Sequence, residues 1–193
     1  MKPLTHNDLL SLEQYARERA DFRTRVLTHK RDRKVRVGEH VTLLFEDRLT
    51  IQYQIQEMLR AEKIFEPEGI AEELDSYNPL IPDGGNLKCT MLIEYDDVEV
   101  RKRELLRLRN IEHEVQLLVG DRAPIKAVAD EDLPRSNDEK TAAVHFLRFE
   151  LDAGAVADFK RGANAMFRIE HPHCRAEAIL SNAQRKALAS DFD

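Results

Sequence analysis

Tryptophan is absent from this chain of 193 residues, cysteine occurs twice, and glycine and proline occur seven times each. So little glycine and proline excludes a collagen-like or low-complexity chain. The cysteines, at positions 89 and 174, have no close spacing, so the sequence encodes neither a zinc knuckle nor a local redox pair. Reduced, partly buried thiols are the expectation. No uncharged run approaches the length needed to span a bilayer, which argues against membrane insertion. The segment 1–22 lacks the apolar centre and small-residue cleavage site of a secretory signal, and a cytoplasmic location is expected. Also missing are a nucleophile motif, a dinucleotide fingerprint and a phosphate loop, so nothing fixes a reaction class or identifies a cofactor.

What is present is the composition of a soluble globular protein, 42% hydrophobic and 34% charged. The length suits one well-cored domain spanning 1–193. A formal charge of -6 disfavours a protein that coats nucleic acid. Local basic clusters do occur, at Arg23, Arg25, Lys30, Arg31, Arg33, Lys34 and Arg36, and again from Arg101 to Arg109. The first lacks interleaved aromatics for base stacking, so it points to a protein partner, whereas the second reads as a solvated helix face.

Periodicity predicts a helix from a Ser11 cap to about Thr28, then a short strand pair around RKVRV and HVTLLF. A second helix is expected from Asp47 to Phe65 and a third opened by Pro67. Gly84 and Gly85 read as a tight turn with positive φ, after which LKCTMLIEY alternates as a central strand. A charged helix follows from about Asp97 to Asn110. Beyond it come strands at EVQLLVG, PIKAVA, AVHFLRFEL, AMFRIEH and CRAEAIL, with an acidic loop at 130–140 and a last helix capped by Ser181 or Asn182. Hairpin connections with grouped helices indicate an α+β fold, a largely antiparallel sheet on which N-terminal helices and a C-terminal helix pack.

Polar residues inside the second helix are the main candidates for function. Gln52, Gln56 and Arg60 recur at four-residue spacing as one stripe, with Glu57 beside it. Such a stripe lines a pocket, faces water or makes structural pairs. Glutamine supplies donor and acceptor, arginine a fork for a carboxylate or phosphate, and glutamate a base. His145 lies on the apolar face of its strand, either as a hydrogen-bonded core residue or, near Glu57 or Glu94, as a proton-transfer group or a metal ligand through neutral imidazole. The turn His171, Pro172, His173, Cys174 concentrates metal-ligand types, but it lacks a fourth donor and reads as surface; Cys174 is a weak candidate thiol. Glu112 and His113 are adjacent rather than spaced to share a helix face, and the di-iron pattern of a Glu on each of two helices with a Glu-x-x-His pair on each of two others is absent, so no metal site is assigned.

The phrases LLFEDRLTIQYQIQEMLRAE, EELDSYNPLIPDGGNLKCTMLIEY, ADEDLPRS, AVHFLRFEL and EHPHCRAE resemble those of an uncharacterised bacterial family, a domain of unknown function, over nearly the whole chain. That resemblance implies genes often encoded beside a rubrerythrin-like protein and an iron–sulfur oxidoreductase, hence redox proteins as partners in redox or oxidative stress. It carries over no catalytic residues. Two readings stay open. One is a non-enzymatic accessory or binding protein using a polar pocket or the basic docking surface. The other is an enzyme in whose cavity Glu57 or His145 acts as general base while Arg60, Glu94, Gln52 and Gln56 bind a small anionic substrate.

Overall fold

The computed structural model describes residues 1–131, 135 and 140–192; most of the acidic loop lies outside them. Helix α1 (Leu12–Arg31) starts at Ser11, whose side chain accepts the Gln14 N–H. Strands β1 (Lys34–Val37) and β2 (Val41–Phe45) form the expected hairpin, and Asp47 caps α2 (Arg48–Glu62) in a capping box with Thr50. Lys63 ends that helix in a left-handed conformation, short of Phe65. Pro67 opens α3 (Pro67–Tyr77), which leads through a 3-10 turn (Asn78–Leu80) to β3 (Asn86–Ile93). In the intervening turn only Gly84 has positive φ, at +106°; a Cβ on Gly85 would meet nothing closer than 3.7 Å. The expectation for Gly85 is corrected accordingly.

Helix α4 (Val98–Arg107) and a 3-10 turn (Ile111–His113) precede β4 (Val115–Val119), β5 (Ile125–Lys126) and β6 (Val128–Ala129). The chain continues with β7 (Val144–Glu150), α5 (Ala153–Arg161), β8 (Ala165–His171), β9 (Cys174–Ile179) and α6 (Asn182–Ala189). The fold is α+β. Its strands form two antiparallel sheets, where the alternation pattern had suggested one: five strands in the order β1-β2-β3-β7-β6 and four in the order β5-β4-β8-β9. Strand alternation defines faces but not which strands share a sheet, so this division was invisible in the sequence.

The inner faces stack on each other. Leu87, Cys89, Met91 and Ile93 of β3 join Leu147 and Phe149 of β7 against Leu117, Phe167 and Ile169 of the second sheet. Phe167 stands at the centre, 5.0 Å from the Phe45 ring and 5.2 Å from that of Phe149. Between β5 and β6 the chain passes from one sheet to the other, and the Ala127 N–H still bonds to the Val115 carbonyl. Helices α2 and α3 build a separate apolar cluster of Ile51, Ile55, Leu59, Ile70 and Leu74. Among the described residues no helix is long and apolar enough to cross a membrane.

Candidate functional site

The strand register puts His145 opposite Met91 on the inner face of β7, where it has no exposed surface. A histidine so placed needs a partner for each nitrogen. Nδ1 lies 2.6 Å from Oδ2 of Asp130, while Nε2 lies 2.8 Å from the Thr141 hydroxyl and 3.0 Å from the Ala142 carbonyl. A carbonyl only accepts, so Nε2 carries a hydrogen in this arrangement. Thr141 in turn donates to Oε2 of Glu112 at 3.2 Å, and that oxygen is 3.9 Å from Nε2.

Each partner is positioned by its backbone. Asp130 follows the crossover from β5 to β6 with φ of +49°; its N–H donates to the Phe146 carbonyl and its Oδ1 accepts the Phe146 N–H at 2.9 Å. The side chain thus extends the ladder along β7 and aims its other oxygen at the imidazole. Glu112, 1% exposed, is held on the 3-10 turn after the left-handed Asn110. Thr141, equally buried, is anchored by its N–H to the Leu105 carbonyl. Arg135 lies with Nε 3.4 Å from Asp130 Oδ1 and its guanidinium over the Phe146 ring.

The sequence of contacts Thr141, His145, Asp130 has the order of a nucleophile, base and orienting acid. Its hydrogens run the wrong way. Thr141 donates to Glu112 rather than to His145, Nε2 is itself a donor, and burial denies a substrate access to the hydroxyl. What the cluster does offer is a set of metal-ligand types, because Glu112, Asp130 and His145 present donor atoms within 4.8 Å of one another. Sequence reasoning singled out only His145. Asp130 and Glu112 were passed over as a loop acid and one of an adjacent pair, although a histidine on an apolar strand face is itself a signal that buried acceptors must exist.

The other candidates do not join this cluster. Glu57 accepts a fork from Arg19 at 2.7 and 2.8 Å, the Tyr15 hydroxyl at 2.6 Å and Arg60 at 3.3 Å. The Arg19 guanidinium leads in pushing its pKa down to about 2, which makes it a poor general base. Gln56 is fully buried and bonds both backbone groups of Leu10, and Gln52 donates to the Asp8 carbonyl. The polar stripe therefore straps the N-terminal segment onto α2. Glu94 accepts from Thr42 on the outer face of the five-stranded sheet, the side opposite His145, so Glu57, Arg60, Glu94 and His145 form no common cavity.

Three further expectations are corrected. His171 is buried, donating to the Arg109 carbonyl through Nε2 and accepting the His173 N–H at Nδ1, so it is a tether and no surface ligand. Burial pushes both Cys89 and Cys174 thiols up, the opposite of activation. Arg33, counted among the docking residues, is 1% exposed and bonds Asp191 and the carbonyls of Phe45, Glu46 and Ala187. Lys34 and Arg36 line a hollow with Glu39, Glu94, Asp96 and Asp97, which dilutes the basic surface.

The opposite face of β7 carries a groove. It encloses about 720 Å³ between β3, β7 and the end of α3, walled by Tyr77, Pro79, Leu80 and Phe146, with Lys88, Arg148, Asp75 and Glu131 around it. Lys88 donates to the Pro79 carbonyl, and Arg148 holds Glu131 through two bonds of 2.7 Å.

A family model described as a protein of unknown function, DUF3501, matches residues 3–192. The chain belongs to that family. Among solved structures, it is similar to a novel protein of unknown function from Burkholderia pseudomallei K96243, with 49% sequence identity, both chains covered in full and a TM-score of 0.95. No curated protein matches. These likenesses place the DUF3501 fold on firm ground and assign it no chemistry.

Proposed function

We propose that this DUF3501 protein is a non-enzymatic binding protein whose ligand occupies the groove on the outer face of the five-stranded sheet. The observation that carries this reading is the groove itself, an opening of about 720 Å³ with aromatic and aliphatic walls and two cationic side chains among its lining. Mostly apolar clefts of this size with a few placed polar groups are the usual form of a small-molecule site. Burial lowers the Lys88 pKa, so an anion beside its ammonium would offset a desolvation cost. The ligand class is a small molecule with a flat apolar body and one acidic group. Redox proteins remain the partners that the sequence resemblance implies, and with both thiols suppressed the protein would serve such a pathway by binding rather than by thiol chemistry.

Anilinonaphthalene sulfonate has this chemistry and serves as the probe. Saturable binding to native protein, abolished by Leu80→Arg without a change in melting temperature, is the expected result. Binding that ignores Leu80→Arg, together with a bare polypeptide mass for protein isolated under native conditions, would remove the groove from consideration.

A further inference from the structure

We infer that Glu112, Thr141, Ala142 and His145 form a binding site for one divalent first-row transition-metal ion, with Asp130 as the positioning residue. Ligand atoms set 90° apart on an ion with bonds of about 2.1 Å lie about 3.0 Å from one another. Nε2 of His145 is 2.8 Å from the Thr141 hydroxyl and 3.0 Å from the Ala142 carbonyl, and the hydroxyl is 3.2 Å from Glu112 Oε2. The separation of 3.9 Å between Glu112 and Nε2 is wider, and a rotation of the carboxylate would close it. These are the edges of a coordination polyhedron.

The surroundings are those of a ligated histidine. Metal-binding imidazoles donate their other N–H to a carboxylate, which fixes the tautomer and the ring plane. Asp130 takes that part at Nδ1, and its second oxygen is locked by the Phe146 N–H. On binding, the ion takes the place of the Nε2 proton, which leaves to solvent, while the Thr141 hydroxyl keeps its hydrogen on Glu112 and offers a lone pair. Two carboxylates lie here with side-chain exposures of 2% and 7%, and although Arg135 meets Asp130 at 3.4 Å, a dication beside Glu112 would add to that neutralisation. One imidazole with oxygen donors suits a borderline ion rather than a thiol-seeking one. Next to Glu112, the exposed His113 approaches Oε1 at 3.8 Å, so one carboxylate of the cluster lies a single side chain from solvent.

The test begins with wild-type protein stripped by chelator, dialysed against Zn²⁺ and measured by elemental analysis, with Co²⁺ titration as a spectroscopic check. One ion per chain and a visible Co²⁺ absorption are expected. Glu112→Gln, which keeps an acceptor for Thr141, should weaken Zn²⁺ binding about tenfold or more while the circular dichroism stays that of the wild type. Because a buried variant can fail to fold, imidazole nitrogen NMR on wild-type protein supplies an independent reading, in which Zn²⁺ should move the Nε2 resonance of His145. No bound ion, or an ion that shifts only other histidines, overturns the proposal, as does unchanged affinity in folded Glu112→Gln.

Discussion

Gln56 shows how a residue that looks like a ligand contact becomes a structural one. It is fully buried, accepting the Leu10 N–H at 2.6 Å and donating to the Leu10 carbonyl at 3.3 Å, so its amide replaces a missing backbone partner. Gln56→Leu would keep the side-chain volume and strand both groups of Leu10. Unpaired buried polar groups cost about 1–3 kcal/mol each. We expect a loss of about 2 kcal/mol, read as a fall of roughly 4–8 °C in melting temperature for a chain of this size. A melting temperature unchanged within a degree would show that water replaces the amide without penalty. Polarity and four-residue spacing were legible in the sequence. The partner was not, because it lies 46 positions away in a segment without periodicity of its own.

At the scale of elements, the C-terminal turn is held to the start of the chain by one buried ion pair. Arg33, between α1 and β1, reaches Asp191 at 2.5 Å, and Asp47 and His29 face the same group. Burial outweighs the arginine and raises the Asp191 pKa to about 6, while Oδ1 has no hydrogen-bond partner. Above pH 6 the folded protein must keep this carboxylate charged, a cost the unfolded chain escapes. As the pH falls through about 6 the folded state takes up the proton first, and the associated gain is complete below the ordinary value of 3.8. That gap corresponds to ~3 kcal/mol. Wild-type stability measured relative to Asp191→Asn by denaturant titration should therefore rise between pH 7 and pH 4; a flat difference would place the Asp191 pKa at its ordinary value. Asp47 and Glu57, whose pKa values are lowered, act in the opposite direction over the acid range, which is why the variant is the reference. Capping residues, Pro67 and strand alternation made the helices and strands readable to within a few residues. Arg33 was misassigned because a basic run looks the same whether one member is buried or all are solvated.

Across the described residues of the molecule, the buried apolar side chains divide into one large core between the sheets and two smaller clusters among α1, α2 and α3. This division follows from topology that no local pattern encodes: β7 pairs with β3 across more than 50 intervening residues, while the N-terminal helices pack mainly on one another. Where the helical layer meets the sheet, it leaves the groove walled by Tyr77, Leu80 and Phe146. Links across that boundary are polar, with Thr50 and Thr90 both donating to Glu46. Regions with less apolar burial open at lower free energy than the global transition. Native-state hydrogen exchange should therefore show α1, α2 and α3 exchanging ahead of β3, β7, β4 and β8. Addition of a groove ligand should slow exchange in α3 and at 78–80, since such a ligand bridges both layers. Exchange of all these elements at a single rate would show that the polar links suffice to make the layers one cooperative unit, and the groove would then be a rigid cleft rather than a seam between two parts.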